Sequence, residues 1–338
     1  MTKIKHKEKI LGLLVSILFI LLIVWNLDTK QLIATFKIFD YRTLILFVPL
    51  YVLSLLIRGY RWQCLLYDST KLSLQEAFFT FTTGNTINSY LPARAGDFWR
   101  AFHVGKKLKE SKMKILGSII LERIIDGISV LLILFFAVFT YFKKPWVMNI
   151  AYVAAILFLG SFSVFYFLQK YNKIDVLCNY LSSLKYLSNF KPLFEKIKEI
   201  FNKFMEGFKS LNNPKNFCKA FTASCIAWGI ECFLTYLIIT GFGQNYGFSI
   251  SLFVISFIAL STIIPSSSIF VGPYQYAYIL ALGIYKVTKS NALAIAFIHQ
   301  ISIMVIITVI TIIYLLKTDK SLTNIKEEIE ENSNANYA

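Results

Sequence analysis

Long apolar runs, with basic residues clustered at one end or the other, set the pattern of this chain. Residues 10–24, 44–57, 115–142, 146–168, 217–240 and 291–316 are runs of this kind. Each is long enough for a helix that crosses most or all of the hydrocarbon layer, which takes about 20 residues. Two further stretches are apolar but interrupted. Residues 74–91 are softened by Thr80, Thr82, Thr83, Gly84, Asn85, Thr86, Asn88 and Ser89, and then run into Pro92 and Gly96. Residues 252–284 are broken at Pro265, Gly272 and Pro273. The pattern predicts an all-α polytopic integral membrane protein with about six to eight transmembrane helices, two of its segments broken and re-entrant.

Lysines and arginines orient the runs, because positive charge collects on the cytoplasmic side. Lys3, Lys5, Lys7 and Lys9 precede the first run, and no small-residue cleavage site follows it. It reads as an uncleaved anchor with a cytoplasmic N-terminus. Arg58, Arg61 and Lys71 follow the second run and mark its end as cytoplasmic. Lys106, Lys107, Lys109, Lys112 and Lys114 lie on the far side of the first broken stretch, so both its flanks are basic. A segment that dips in and returns satisfies both flanks, and irregular backbone at that depth is tolerated where it lines a cavity. The expectation is a hairpin over residues 73–105, broken between Leu91 and Gly96. Lys317 and Lys320 place the C-terminus inside as well. The protein is expected in the cell (inner) membrane.

One membrane domain is expected over residues 1–320, with a first half at 10–168, a basic linker at 169–217 and a second half at 217–316. A polar tail at 321–338 follows. Within residues 193–211 of the linker the apolar positions recur at helical spacing opposite a basic face. Such a helix either lies on an anionic leaflet or packs on the bundle. The halves match: run 44–57, broken segment 73–105 and run 115–142 answer run 217–240, broken segment 250–286 and run 291–316. The first triplet enters from outside and the second from inside. An inverted-topology repeat is predicted, with a site at the broken segments.

Composition agrees with the membrane reading: 56% of the 338 residues are hydrophobic and only 16% charged. The formal net charge of +16 lies at the ends of apolar runs, which argues against nucleic acid as a partner. Cys218, Cys225 and Cys232 recur every seven residues without CxxC spacing. They read as packing residues, and neither a metal nor a cofactor is implied.

The candidate chemistry lies in the charges inside apolar sequence. Arg94, Asp97 and Arg100 follow the first break. Glu122, Arg123 and Asp126 sit in an otherwise apolar helix, with Glu122 and Asp126 four apart on one face. Such charges should face one another or a polar cavity. Asn85 and Asn88 before the first break, and Ser267 and Gln275 at the second, complete the candidate binding set. Arginine suits planar phosphate contacts, so Arg94 and Arg100 are read as phosphate ligands, with the acids pairing them or receiving a cationic group.

The sequence Leu91-Pro-Ala-Arg-Ala-Gly-Asp97 with Arg100, followed by Glu122-Arg-Ile-Ile-Asp126 and the Pro265, Gly272, Gln275 break, resembles the membrane domain of bacterial lysylphosphatidylglycerol synthases and flippase-like proteins. The resemblance covers roughly residues 10–316. It implies a protein that binds and translocates a lipid with a polar head group, with membrane lipids, anionic phospholipid first, as partners. A second copy or an envelope-synthesis protein is a further partner of that reading. It implies functional roles for Arg94, Asp97, Arg100, Glu122, Arg123 and Asp126. Gln275 stands where the family often has Glu, and a neutral amide cannot pair a cationic head group as Glu does. The chain ends at Ala338 without an aminoacyl-transfer domain, so lipid aminoacylation is not expected of it. A membrane-embedded transferase acting on a lipid-linked substrate and an accessory or scaffold subunit are the alternatives.

Overall fold

The computed structural model describes residues 21–24, 27–66, 72–91, 94–141, 145–171, 191–244, 246–262 and 272–318. Every described element is helical. In chain order the α-helices are α1 Thr29–Ile38, α2 Thr43–Leu65, α3 Leu74–Tyr90, α4 Ala95–Leu108, α5 Lys112–Tyr141, α6 Pro145–Tyr171, α7 Lys191–Glu206, α8 Pro214–Gly241, α9 Ser249–Ser261, α10 Pro273–Gly283 and α11 Lys289–Lys317, with a short 3-10 turn, Lys209–Asn212, between α7 and α8. Among the described residues five helices, α2, α5, α6, α8 and α11, are long and apolar enough to cross a membrane. The anchor expected at residues 10–24 lies almost wholly outside the described residues.

The polar breaks between the apolar runs are written as caps. Ser73 and Glu76 form a reciprocal capping box at the start of α3, which satisfies two backbone N–H groups that a helix start leaves without partners. The Asn213 side chain accepts the Asn216 N–H while Pro214 opens α8. Between α3 and α4 the chain turns through Arg94, whose φ of 52° is left-handed. A non-glycine residue adopts that conformation at a cost and only where its surroundings hold it.

The first broken segment is a helical hairpin, α3 against α4. Its two arms meet at glycine: a Cβ on Gly96 would fall 1.9 Å from the Gly84 carbonyl oxygen. The second broken segment also packs its two arms on each other, α9 against α10. Helices α2 and α8 run antiparallel along each other. Thr43 packs beside Gly241, Ser54 bonds Glu231 and Arg61 bonds Ser224. The first arm of each hairpin then lies on the last long helix of the opposite half, α3 on α11 and α9 on α5. Exchanging the two triplets leaves this set of neighbours unchanged, and the antiparallel α2–α8 pair makes the relation an inversion. The inverted repeat is present, with each half closing over the other's hairpin.

The apolar core lies between the halves, around Phe47, Leu55, Phe81, Leu134, Phe253 and Tyr278. Helix α6 is peripheral. It touches α5 through Phe158, which occupies the space a Gly127 side chain would need, and turns Tyr152, Val153, Ile156 and Phe167 outward. An apolar outer face of that size is what a lipid-facing helix presents. Of the two arrangements the sequence allows for the linker helix, packing on the bundle is the one observed. The Phe204 carbonyl of α7 sits against Gly117 of α5, and Phe201, Phe204, Met205 and Phe208 join the apolar cluster there.

Close glycine contact is what joins the hairpin arms, and overpacking at such contacts costs about 1–3 kcal/mol. Gly96→Ala should lower the thermal unfolding midpoint of the purified protein in detergent by several degrees. Gly160→Ala, where an added Cβ meets nothing within 4 Å, should leave it unchanged.

Candidate functional site

Helical periodicity brings the interior charges together. On α2, Ser54, Arg58 and Arg61 recur at the spacing of one helix face, and that face meets α8. On α5, Glu122, Asp126 and Ser129 form a matching stripe. On α4, Asp97 and Arg100 are one turn apart. The three stripes converge in one network.

Arg61 is its hub. Its guanidinium makes a close bidentate pair with Asp126, with its second nitrogen 3.1 Å from Oδ2. It also lies 3.2 Å from Glu122 and donates to Ser224 at 3.1 Å. Arg61 and Glu122 are both 0% exposed, so neither charge could be there unpaired. Arg100 pairs Glu122 at 2.8 Å and lies 3.8 Å from Asp97. Its guanidinium carbon stands 4.1 Å from the Trp62 ring centre and 4.9 Å from that of Phe81, cation–π contacts that partly replace water. Arg123 donates to Asp97 at 2.9 and 3.3 Å. On the α8 side Trp228 donates its indole N–H to Asp126 at 2.7 Å. Arg58 lies 3.4 Å from Glu231 and 3.7 Å from Asp126.

Asn88 builds the turn. Its side-chain oxygen accepts the Gly96 N–H at 2.8 Å and the Asp97 N–H at 3.3 Å, and its amide nitrogen donates to Asp97 at 3.0 Å. It thereby caps α4 from α3 and fixes the Asp97 carboxylate. Arg94 is different. Among the described residues no carboxylate lies within ion-pair distance of it, and its guanidinium donates to the Thr262 carbonyl at 2.9 Å. That carbonyl follows the end of α9, so Arg94 ties the tip of the first hairpin to the end of the second hairpin's first arm.

A cavity of about 520 Å³ opens beside this network. Asn85, Asn88, Arg94, Arg123, Arg58, Asp126 and Glu231 form its polar wall, and Leu157, Phe158, Ile258, Ile303 and Ile307 are among its apolar lining. The network holds five arginines, at 58, 61, 94, 100 and 123, against four carboxylates, at 97, 122, 126 and 231. Among the described residues one positive charge is left over, and Arg94 is the arginine without a carboxylate.

The structure thus brings together Asn85, Asn88, Arg94, Asp97, Arg100, Glu122, Arg123 and Asp126. It separates Gln275 from them. The Gln275 side-chain oxygen accepts the Gly272 N–H at 2.8 Å, and its amide donates to Gln300 at 2.6 Å. It caps its own helix instead of facing the cavity. Ser267 lies outside the described residues. A correction concerns Arg58 and Arg61, read from the sequence as marking the end of a span. Helix α2 continues through them to Leu65, and their charge is consumed by Asp126, Glu122 and Glu231. The clue was available: Ser54, Arg58 and Arg61 repeat along one helix face, with apolar residues continuing at Leu65 and Leu66.

Removing one partner of a buried ion pair costs about 3–5 kcal/mol, because the other charge is stranded. Arg61→Met should therefore collapse the monodisperse peak in size-exclusion chromatography or lower the unfolding midpoint sharply. Arg94→Met, which strands no carboxylate, should leave both measures near those of the unaltered protein.

Comparison with known proteins places the chain in a family. Residues 9–311 match the family described as the lysylphosphatidylglycerol synthase TM region. A UPF0104 membrane protein of Methanocaldococcus jannaschii is 27% identical over 220 residues, which cover 64% of this chain and 86% of that protein. A UPF0104 membrane protein of Pyrococcus horikoshii is 24% identical over 343 residues, covering 94% of this chain and 99% of that one. No solved structure matches. With a match across nearly its full length and several helices fit to span a bilayer, the chain belongs to the lysylphosphatidylglycerol synthase TM region family of multi-pass membrane proteins.

Proposed function

We propose that this protein binds the phosphate of a lipid of the cell membrane at Arg94 and carries the head group across the bilayer. The observation that supports it is the residual charge. Every other arginine of the network has a carboxylate within 4 Å, whereas Arg94 faces the cavity and, among the described residues, meets only a backbone carbonyl. A guanidinium in a low-dielectric wall attracts an anion far more strongly than one in water, and its planar donors fit phosphate oxygens. Arg58 and Arg123 line the same wall, but Asp97, Asp126 and Glu231 pair them, so the excess positive charge of the wall is that of Arg94.

The architecture supplies a route. Arg94 joins the two hairpins at the cavity, and each hairpin lies on the opposite half of the repeat. Rocking of one half against the other around a fixed central site is the general motion of inverted-repeat carriers. A lipid phosphate that displaces the Thr262 carbonyl from Arg94 releases the hydrogen bond that, among the described residues, links that arginine to the second hairpin. Substrate binding and hairpin separation are then the same event. The remaining charges act as scaffold: Asp97, Arg100, Glu122, Arg123 and Asp126 hold the wall in place by pairing with one another and with Arg61.

The test is lipid exchange in reconstituted vesicles carrying an acyl-labelled fluorescent phosphatidylglycerol, followed by chemical quenching of the outer leaflet. The full chain should expose the label from both leaflets. Arg94→Ala should slow exchange by about tenfold or more, and Arg94→Lys should retain part of it, since lysine keeps the charge but loses the fork of donors. Exchange by Arg94→Ala at the unaltered rate would refute the assignment.

A further inference from the structure

A cavity of about 520 Å³ is the size of a site for a drug-sized molecule, too small for the two acyl chains of a phospholipid. A lipid whose phosphate reaches Arg94 must keep its tails outside, so the wall must open sideways to let them pass. One stretch of wall is built that way. Leu157 of α6 lines the cavity and is nevertheless 47% exposed. The residue before it, Ile156, is 76% exposed on the outer face of the helix. Cavity wall and lipid-facing surface meet at Leu157.

The run of the helices explains the opening. Phe162, late in α6, meets Phe217 at the start of α8, with ring centroids 5.9 Å apart. Tyr236, near the end of α8, meets Phe248, just before α9, at 5.6 Å. Helices α6 and α9 therefore both run opposite to α8 and in the same sense as each other. They meet where Trp146 lies edge-on to Phe257, with centroids 5.8 Å apart. From that contact α9 continues for four residues, to Ser261, about 6 Å at 1.5 Å per residue. Leu157 is eleven residues further along α6, about 16 Å. At the level of Leu157, α9 has already ended. That level is also the level of the charges: Phe158 occupies the space beside Gly127, and Gly127 follows Asp126 and stands one turn from Arg123 on α5.

We propose that the gap between α6 and the end of α9 is a lateral portal, with Leu157 at its mouth, through which the acyl chains run from the bilayer to a head group held at Arg94. The inference rests on the phosphate reading of the preceding subsection and adds the route of the tails. Arg94 marks the inner end, since its guanidinium bonds the Thr262 carbonyl just where α9 stops. The lining marks the track: Leu157 and Phe158 on α6 and Ile258 on α9 are apolar cavity residues, continuous through Leu157 with the outward Ile156 and Val153. An acyl chain that passes from lipid onto such a lining exchanges one apolar surround for another. The tails then need not be enclosed, and only the head group meets the polar wall. Phe158 seated on Gly127 keeps α6 attached to α5 at this level, so the opening is a slot beside a fixed helix.

The experiment places the same bulk at two neighbouring positions of α6 in the full chain. Leu157→Trp should slow exchange of the acyl-labelled phosphatidylglycerol in reconstituted vesicles about tenfold, equivalent to about 1.4 kcal/mol of added barrier. Ile156→Trp, on the outer face, should exchange lipid at the unaltered rate. Glycerol phosphate carries the phosphate without tails. By calorimetry in detergent it should bind both variants as it binds the unaltered chain, which also shows that both are folded. Exchange by Leu157→Trp at the unaltered rate, an equal loss in Ile156→Trp, or loss of glycerol phosphate binding in Leu157→Trp would each overturn the portal while leaving the phosphate reading standing. If glycerol phosphate fails to bind the unaltered chain, or binds Arg94→Ala equally, the phosphate reading falls and the portal with it.

Discussion

Arg61 is the constraint on which the rest depends. A fully buried guanidinium inside a membrane domain is tolerated only with its charge and donors satisfied. Here Asp126 and Glu122 of α5 and Ser224 of α8 meet it at once. One side chain of α2 thus fixes the rotation of α2, α5 and α8 about their axes. Arg100, sharing Glu122, brings in α4 and so the first hairpin. Apolar packing between helices in lipid is weakly directional, because the tails are as apolar as leucine. The charge network supplies the direction.

The glycine contacts and the network do different work. Gly84 against Gly96 draws the hairpin arms together, and Gly117 against Phe204 seats the linker helix on α5. These contacts set distance. The arginine and carboxylate pairs set which faces meet, and they leave one charge over. Were the charges balanced, the cavity would be a polar seam and nothing more. On the function proposed here, an odd arginine at a left-handed turn between two hairpin ends makes the seam a binding wall.

Much of this was legible in the sequence. The long runs, the two breaks and the mirrored triplets came from hydropathy and punctuation, because lipid forces backbone hydrogen bonds into helices. Arg94, Asp97, Arg100, Glu122, Arg123 and Asp126 stood out because charge in apolar sequence is expensive. The partners were less visible. Arg58 and Arg61 look like ordinary flanking cations until α8 is laid along α2, since nothing local tells a snorkelling arginine from a buried one. Glu231 lies 173 residues from Arg58, a separation that periodicity cannot bridge. Gln275 misled for the converse reason: a polar residue at a break reads as ligand-facing, but the Gly272 N–H left exposed by the break claims its side chain first.

The central claim is that Arg94 meets a lipid phosphate in the cavity between the halves. An experimental structure of the full chain in nanodiscs containing anionic phospholipid tests it most directly. The account predicts phosphate density within hydrogen-bond distance of the Arg94 guanidinium and its loss in Arg94→Ala. A cavity filled by acyl chains alone, with Arg94 turned onto a carboxylate, would contradict it.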